Sequence, residues 1–159
     1  MAISEELRAA REAVVREHMD AENRLDFDAA LATFARPRYD LIGTGQVFEG
    51  PDAVAEYFRQ SRLPFPDQHN ELVAMHHADD AVITEFWLMG THLGSLNGLA
   101  PTGKTFRVQM AAFFMFEGAG LVNERVYFNP GAILDQITAM KVSGSIDERR
   151  DIVAARRHR

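Results

Sequence analysis

The hydrophobic period of this chain changes once, at Leu63-Pro64-Phe65-Pro66-Asp67, and that change limits the fold more than any other feature. Before it, apolar residues recur at helical spacing; after it, they alternate. Residues 4–25 are rich in Ala, Glu, Arg and Leu, and Leu7, Val14, His18, Ala21 and Leu25 share one helical face, which predicts an amphipathic helix. Asp26 is placed to cap a second helix over 27–34, which Arg36-Pro37 ends. Residues 38–47 read as extended. Gly50-Pro51-Asp52 opens a third helix, because proline at the first helical position loses no needed hydrogen bond and an acidic residue favours the positive end. The two prolines then break the regular pattern. Strands follow over 68–77, 81–92, 105–116 and 121–129, with Asp79-Asp80 and Gly118-Ala119-Gly120 as turns. Three helices followed by an antiparallel meander predict an α+β domain with helices on one face of a curved sheet. That domain spans residues 1–140, and 141–159 read as a C-terminal tail in which Ser145-Ile146-Asp147-Glu148 is a capping box for a short helix.

A chain of 159 residues with 47% apolar side chains can bury a core without a disulfide or a metal. It has no cysteine, which removes thiolate nucleophiles and cysteine-bound zinc or iron–sulfur sites and suits a cytoplasmic location. Seventeen Lys and Arg stand against 23 Asp and Glu, a net charge of -6 that fits a nucleic-acid backbone poorly. Neither a signal peptide nor a membrane-spanning run is visible in the sequence.

Two patterns invite a reading that their context refuses. Gly98-Leu99-Ala100-Pro101-Thr102-Gly103-Lys104-Thr105 satisfies the phosphate-loop pattern letter by letter, but that motif needs a helix after it. Phe106-Arg107-Val108-Gln109-Met110 alternates as a strand instead, so the segment reads as a glycine-rich hairpin loop. Histidines 69, 76, 77 and 92 raise the question of a metal, yet no His-Glu-x-x-His spacing occurs and adjacent His76 and His77 point to opposite faces. Neither a metal nor a cofactor is expected.

Phe65-Pro66-Asp67, Trp87-x-x-Gly90-Thr91-His92-x-Gly94, Gly98-x-x-Pro101-Thr102-Gly103-Lys104 and Glu124-Arg125-Val126-Tyr127-Phe128 with Gln136-Ile137 follow one another in an order that closely resembles SnoaL-like proteins. These are polyketide-cyclase relatives within the nuclear transport factor 2-like superfamily. The resemblance runs from about Val14 to Ile137. It implies a cone-shaped fold in which a strongly curved sheet wraps the helices around an apolar cavity, and a homodimer formed through the outer sheet face. In the ester cyclases of this family an Asp after a Tyr-Phe pair acts as acid and base in an intramolecular aldol closure. Here Asn129 follows Tyr127-Phe128, and an amide cannot exchange a proton near neutral pH.

The activity that the resemblance implies is a cofactor-independent cyclase or isomerase, a lyase-like enzyme acting on a hydrophobic polyketide-like metabolite by general acid/base chemistry. The alternative is a non-catalytic ligand-binding or scaffolding cone that has lost the family aspartate. On the first reading His92 shuttles a proton, Glu85 or Glu124 is the base, and Asn129 holds the developing oxyanion. His92 could equally brace the glycine-rich loop. Glu85, Trp87 and Met89 share one face of their strand, so Trp87 becomes a platform for a flat ligand if that face lines the cavity. Gln109, Tyr127, Tyr39 and Asp40 are further candidates for substrate contacts, with His69 at the cavity mouth. Glu124 and Asn129 cannot both face inward without a bulge.

Overall fold

A computed structural model describes residues 2–140; the capping box at Ser145 and the rest of the tail lie outside the described residues. The first helix, α1, runs Glu5–Asn23 with Ser4 as its cap, and Asp26 caps α2 over Phe27–Ala32, its side chain accepting from the Ala29 amide. The extended piece expected over 38–47 is instead a hairpin, β1 (Arg38–Leu41) and β2 (Gln46–Glu49). The reason is local: the amides of Thr44 and Gly45 both turn back to the Leu41 carbonyl, and Gly45 takes a φ of 74° that most residues avoid. Helix α3 covers Pro51–Arg62.

After the prolines come β3 (His69–His77), β4 (Ala81–Thr91), β5 (Thr105–Glu117) and β6 (Gly120–Tyr127). The strand expected to reach 129 stops at Tyr127, and a fourth helix, α4 (Pro130–Thr138), follows it, with Asn129 as its cap and Pro130 in its first turn. The strands form one sheet in the order β2-β1-β6-β5-β4-β3, antiparallel throughout except where β1 runs parallel to β6. The sheet is curved and unclosed, and the helices fill its concave side. This is the α+β cone.

Helix α1 sits in the sheet because one of its faces is nearly all buried. Val15, His18, Met19 and Ala21 pack inward, and the Arg11 guanidinium donates to the carbonyls of Gly118 and Asp79, each at 2.9 Å. Arg11 thus ties the helix to the β3–β4 and β5–β6 turns at one end of the sheet. Along β5, Phe106, Val108, Met110, Ala112, Phe114 and Phe116 are all buried on the concave face, a strict two-residue period.

At the opposite end the loop between β4 and β5 folds over the edge. Gly94 lies so close to the Leu63 carbonyl that a β-carbon there would collide with it. Asp67 accepts from both the amide and the hydroxyl of Thr91, at 2.7 and 2.6 Å, which fastens the double-proline segment to the end of β4. The Gly-Lys-Thr that mimics a phosphate loop leads directly into β5, with no helix behind it. No helix among the described residues is long and apolar enough to cross a membrane.

Candidate functional site

Between the concave face and α1 and α3 lies a cavity of about 400 Å³, bordered by aromatic and aliphatic side chains such as Phe65, Phe86, Leu88, Met110 and Phe114. Its polar lining includes four ionisable groups that lie near one another, Glu22 from α1, Tyr39 from β1, Arg62 from the end of α3 and Glu124 from β6. Tyr39 and Glu124 are cross-strand partners, so the parallel pairing of β1 with β6 brings them together.

Behind them His18 is fully buried, and its hydrogen bonds define its protonation. Thr33 Oγ1 donates to the Ala30 carbonyl at 2.6 Å and therefore accepts from His18 Nδ1 at 2.7 Å. The Tyr39 hydroxyl donates to Glu22 Oε1 at 2.9 Å and so accepts from His18 Nε2 at 2.6 Å. Both ring nitrogens then carry protons, and His18 is an imidazolium. Burial alone would lower its pKa, but the carboxylates of Glu124 and then Glu22 hold the proton and raise it from 6.5 to about 10.

The two carboxylates respond in opposite directions. Burial would raise Glu22, but His18, the Arg62 charge and the Tyr39 hydroxyl together hold it well below the usual carboxylate range. Glu124 is pushed up, chiefly by burial, with repulsion from Glu22 adding to it and His18 offsetting part of it. Its Oε2 lies 3.1 Å from His18 Nε2, yet the Nε2 proton is directed at Tyr39, so this oxygen has no hydrogen-bond partner among the described residues. The arrangement is a carboxyl group with a raised pKa, facing an apolar cavity and backed by a fixed cation. A carboxyl so placed is a candidate acid/base group.

His18, Glu22 and Glu124 could also be read as metal ligands, because one ligand atom from each falls within 4.8 Å of the others. The hydrogen bonds argue for a proton network. With Nδ1 committed to Thr33 and Nε2 to Tyr39, His18 turns no lone pair toward a cation.

Of the residues singled out in the sequence, Glu124 and Tyr39 reach the cavity and several others do not. Phe86 and Leu88 are the cavity residues of β4, so the pleat sends Glu85, Trp87 and Met89 to the convex face. There Glu85 meets His76 at 2.9 Å, and the Arg107 guanidinium stacks 3.7 Å from the centre of the Trp87 ring. Gln109 is exposed on the same side, as is Tyr127, which lies against Phe113. Asp40 alternates with Tyr39 and points outward, bonded to Arg38 Nε at 2.9 Å and Asn123 Nδ2 at 3.0 Å. His69 is exposed, its Nδ1 3.0 Å from the Asp67 carbonyl oxygen.

Two expected catalytic positions also lie elsewhere. His92 is buried but outside the cavity lining; its Nδ1 accepts from the Thr102 amide at 3.1 Å and braces the β4–β5 loop. Asn129 is exposed and caps α4, accepting from the Gly131 amide at 3.0 Å. The strand ends at Tyr127, before reaching it, and Glu124 faces inward just past the irregularity where Met115 pairs with Asn123 and Phe116 with Leu121.

Sequence reasoning placed His18 on the buried face of α1 but gave it no chemistry, and it overlooked Glu22 and Arg62. The available signal was an ionisable pair at i and i+4, His18 and Glu22, on a face otherwise apolar.

The SnoaL-like domain family model matches residues 15–124. No curated protein matches the chain significantly. Among solved structures, AclR from Streptomyces galilaeus, a candidate hydroxylase, superposes with a TM-score of 0.70 at 20% identity, over 94% of this chain and 96% of that one. A candidate polyketide cyclase from Xanthomonas campestris pv. campestris gives 0.73 at 23% identity, over 83% of this chain and 99% of that one. TsrD from Streptomyces laurentii gives 0.70 at 18%, over 84% and 98%. At these identities the structural likeness carries the fold alone. The family match spans most of the cone, including Glu22, Tyr39, Arg62 and Glu124, and the chain therefore belongs to the SnoaL-like domain family of the nuclear transport factor 2-like superfamily.

Proposed function

We propose that this protein is a cofactor-independent cyclase or isomerase that moves a proton on a hydrophobic, polyketide-like substrate, with Glu124 as the acid/base group. The observation that carries this reading is a buried carboxyl with a raised pKa at the wall of an apolar cavity, 3.1 Å from an imidazolium. Glu124 takes the proton α to a carbonyl. The apolar walls hold two parts of one molecule together, and closing a ring between them then avoids most of the entropic barrier of a bimolecular step. Tyr39, whose hydroxyl is held well above its ordinary pKa by burial and the nearby carboxylates, stays neutral and acts as a hydrogen-bonding neighbour. His18 is a positioning residue: it lies behind the cavity and fixes Tyr39 and Glu124 by hydrogen bond and charge.

The test is proton abstraction itself. A panel of polycyclic β-keto esters is incubated in D2O and exchange at the α-carbon is followed by NMR. The wild type should accelerate exchange for at least one member, and Glu124→Gln should slow it by roughly 100-fold or more, the usual range for losing an acid/base group. Undiminished exchange in Glu124→Gln removes the residue from the mechanism. The non-catalytic alternative rested on the amide at position 129. Asp is as good a helix cap as Asn, so Asn129→Asp should leave both fold and exchange rate unchanged.

Residues 1–140 form the single functional domain on this reading, working in the cytoplasm as a homodimer through the convex face, where Trp87, Met89, Phe113 and Tyr127 lie. Sedimentation equilibrium checks the dimer: Trp87→Glu should give monomers, and a wild type monomeric at tens of micromolar removes the dimer from the proposal.

A further inference from the structure

Arg62 closes α3 at the cavity wall with its side chain 9% exposed, and its hydrogen-bonding capacity is largely unused. A guanidinium carries five N–H donors. Among the described residues one of them is satisfied, Nη1 on Ser61 Oγ at 2.8 Å. Ser61 in turn donates to the Phe58 carbonyl at 3.0 Å, so its oxygen is held in place to accept. Nε has no partner, and Nη2 is 3.9 Å from Glu22 Oε2, beyond hydrogen-bonding distance. Phe27 backs the group, its ring centre 5.4 Å from the guanidinium carbon.

Glu22 balances this cation only in part, through an ion pair without a hydrogen bond, its Oε2 3.9 Å from Nη2. Its Oε1 already takes the Tyr39 hydroxyl at 2.9 Å and lies 3.6 Å from the His18 imidazolium, so its charge is engaged on the other side. Arg62 is therefore a largely buried cation in the cavity wall that no carboxylate among the described residues engages by a hydrogen bond. Proteins seldom keep such a group without a partner, and the ideal one for a planar fork is a carboxylate.

We infer that the ligand of this cavity is a carboxylic acid built on a flat apolar ring system, its carboxylate docking on Arg62 and its rings lying against Phe65, Phe86 and Met110. The inference rests on the cavity being the ligand site, as in the proposed function, but not on Glu124 performing the chemistry. The carboxylate end supplies the hydrogen-bonded acceptor that Glu22 does not give Arg62 and fixes one terminus of the molecule. The remainder is then held in register for the Glu124 side of the cavity.

Titration calorimetry with 2-naphthoate and its uncharged isostere 2-naphthamide tests this. The wild type should bind the acid at least tenfold more tightly than the amide. Arg62→Met should erase that preference by weakening the acid at least tenfold while leaving the amide within about twofold, which also shows that the cavity is intact. Should Arg62→Met fail to fold, Arg62→Gln carries the same expectation. Equal affinities in the wild type, a preference that survives in the variant, or binding of neither probe each overturns the inference. Glu124→Gln separates the two proposals: it should retain the naphthoate preference whether or not it loses proton exchange.

Discussion

Two histidine–glutamate pairs lie on opposite faces of one sheet. On the concave side His18 Nε2 is 3.1 Å from Glu124 Oε2, with side-chain exposures of 0% and 7%. On the convex side His76 Nε2 is 2.9 Å from Glu85 Oε2, with exposures of 57% and 45%. The outer pair is the shorter, and it matters less. Water screens the outer charges, whereas the inner ones act through a low-dielectric interior in which each charge must be matched or lost. Distance identifies a contact; burial decides whether it has consequences.

The largest effect expected from breaking this contrast is on His18. His18→Leu removes the inner cation and leaves Glu22 and Glu124 facing each other, so urea denaturation should report a loss of about 3–5 kcal/mol. A loss under about 1 kcal/mol would place the inner pair in the same class as the outer one.

A change of pH should sharpen the contrast. The pKa of folded His18 is about 10 against an ordinary 6.5, so its stabilising contribution is complete below about pH 6.5 and is lost as pH rises through about 10. Stability should therefore decline across that window by an amount on the order of a few kcal/mol. Glu124, also raised, acts in the same direction. Glu22 acts oppositely: its contribution is present above its ordinary 4.5 and is lost as pH falls toward its lowered folded value. The alkaline decline should flatten in His18→Leu, and an unchanged slope there would mean that another group titrates.

Tyr39→Phe is a smaller disturbance. It removes the hydroxyl that accepts from His18 and donates to Glu22 while keeping the ring among Phe34, Tyr57 and Phe58. Two buried groups lose a partner, and a destabilisation of about 1–3 kcal/mol is expected in the same denaturation experiment. Least of all should come from outside. Glu85→Gln and His76→Gln should each shift stability by less than about 0.5 kcal/mol, and neither should change proton exchange. A larger change would show that the proposed dimer contact around Trp87 extends over this pair.

Much of the fold is written in local pattern. The caps Ser4 and Asp26, the Pro51 start of α3, the two prolines after Leu63 and the two-residue period of β5 each state an element where they stand. The short hairpin at 38–49 and α4 were harder to see, since a turn of three or four residues and a nine-residue helix offer few periods to count. The ordered Gly, Thr and His motif near the end of β4 marked the family, but its own work is structural: Gly94 admits a close approach, Thr91 fastens Asp67, and His92 braces the loop.

The site was less legible for a physical reason. A strand period says that Glu85 and Phe86 face opposite ways but not which way is inward, and the choice depends on which face the helices cover. His18 and Glu22 carry no strand signal at all. They become a site because β1 pairs with β6 and places Tyr39 beside Glu124, with α1 laid across them. The sequence by itself determined the three N-terminal helices, the four long strands, their order and the α+β class, because those rest on contacts within a few residues. The tertiary structure alone decided which carboxylate is buried, which histidine is charged and which cation lies at the cavity wall, because each depends on groups far apart in the chain meeting where water is excluded.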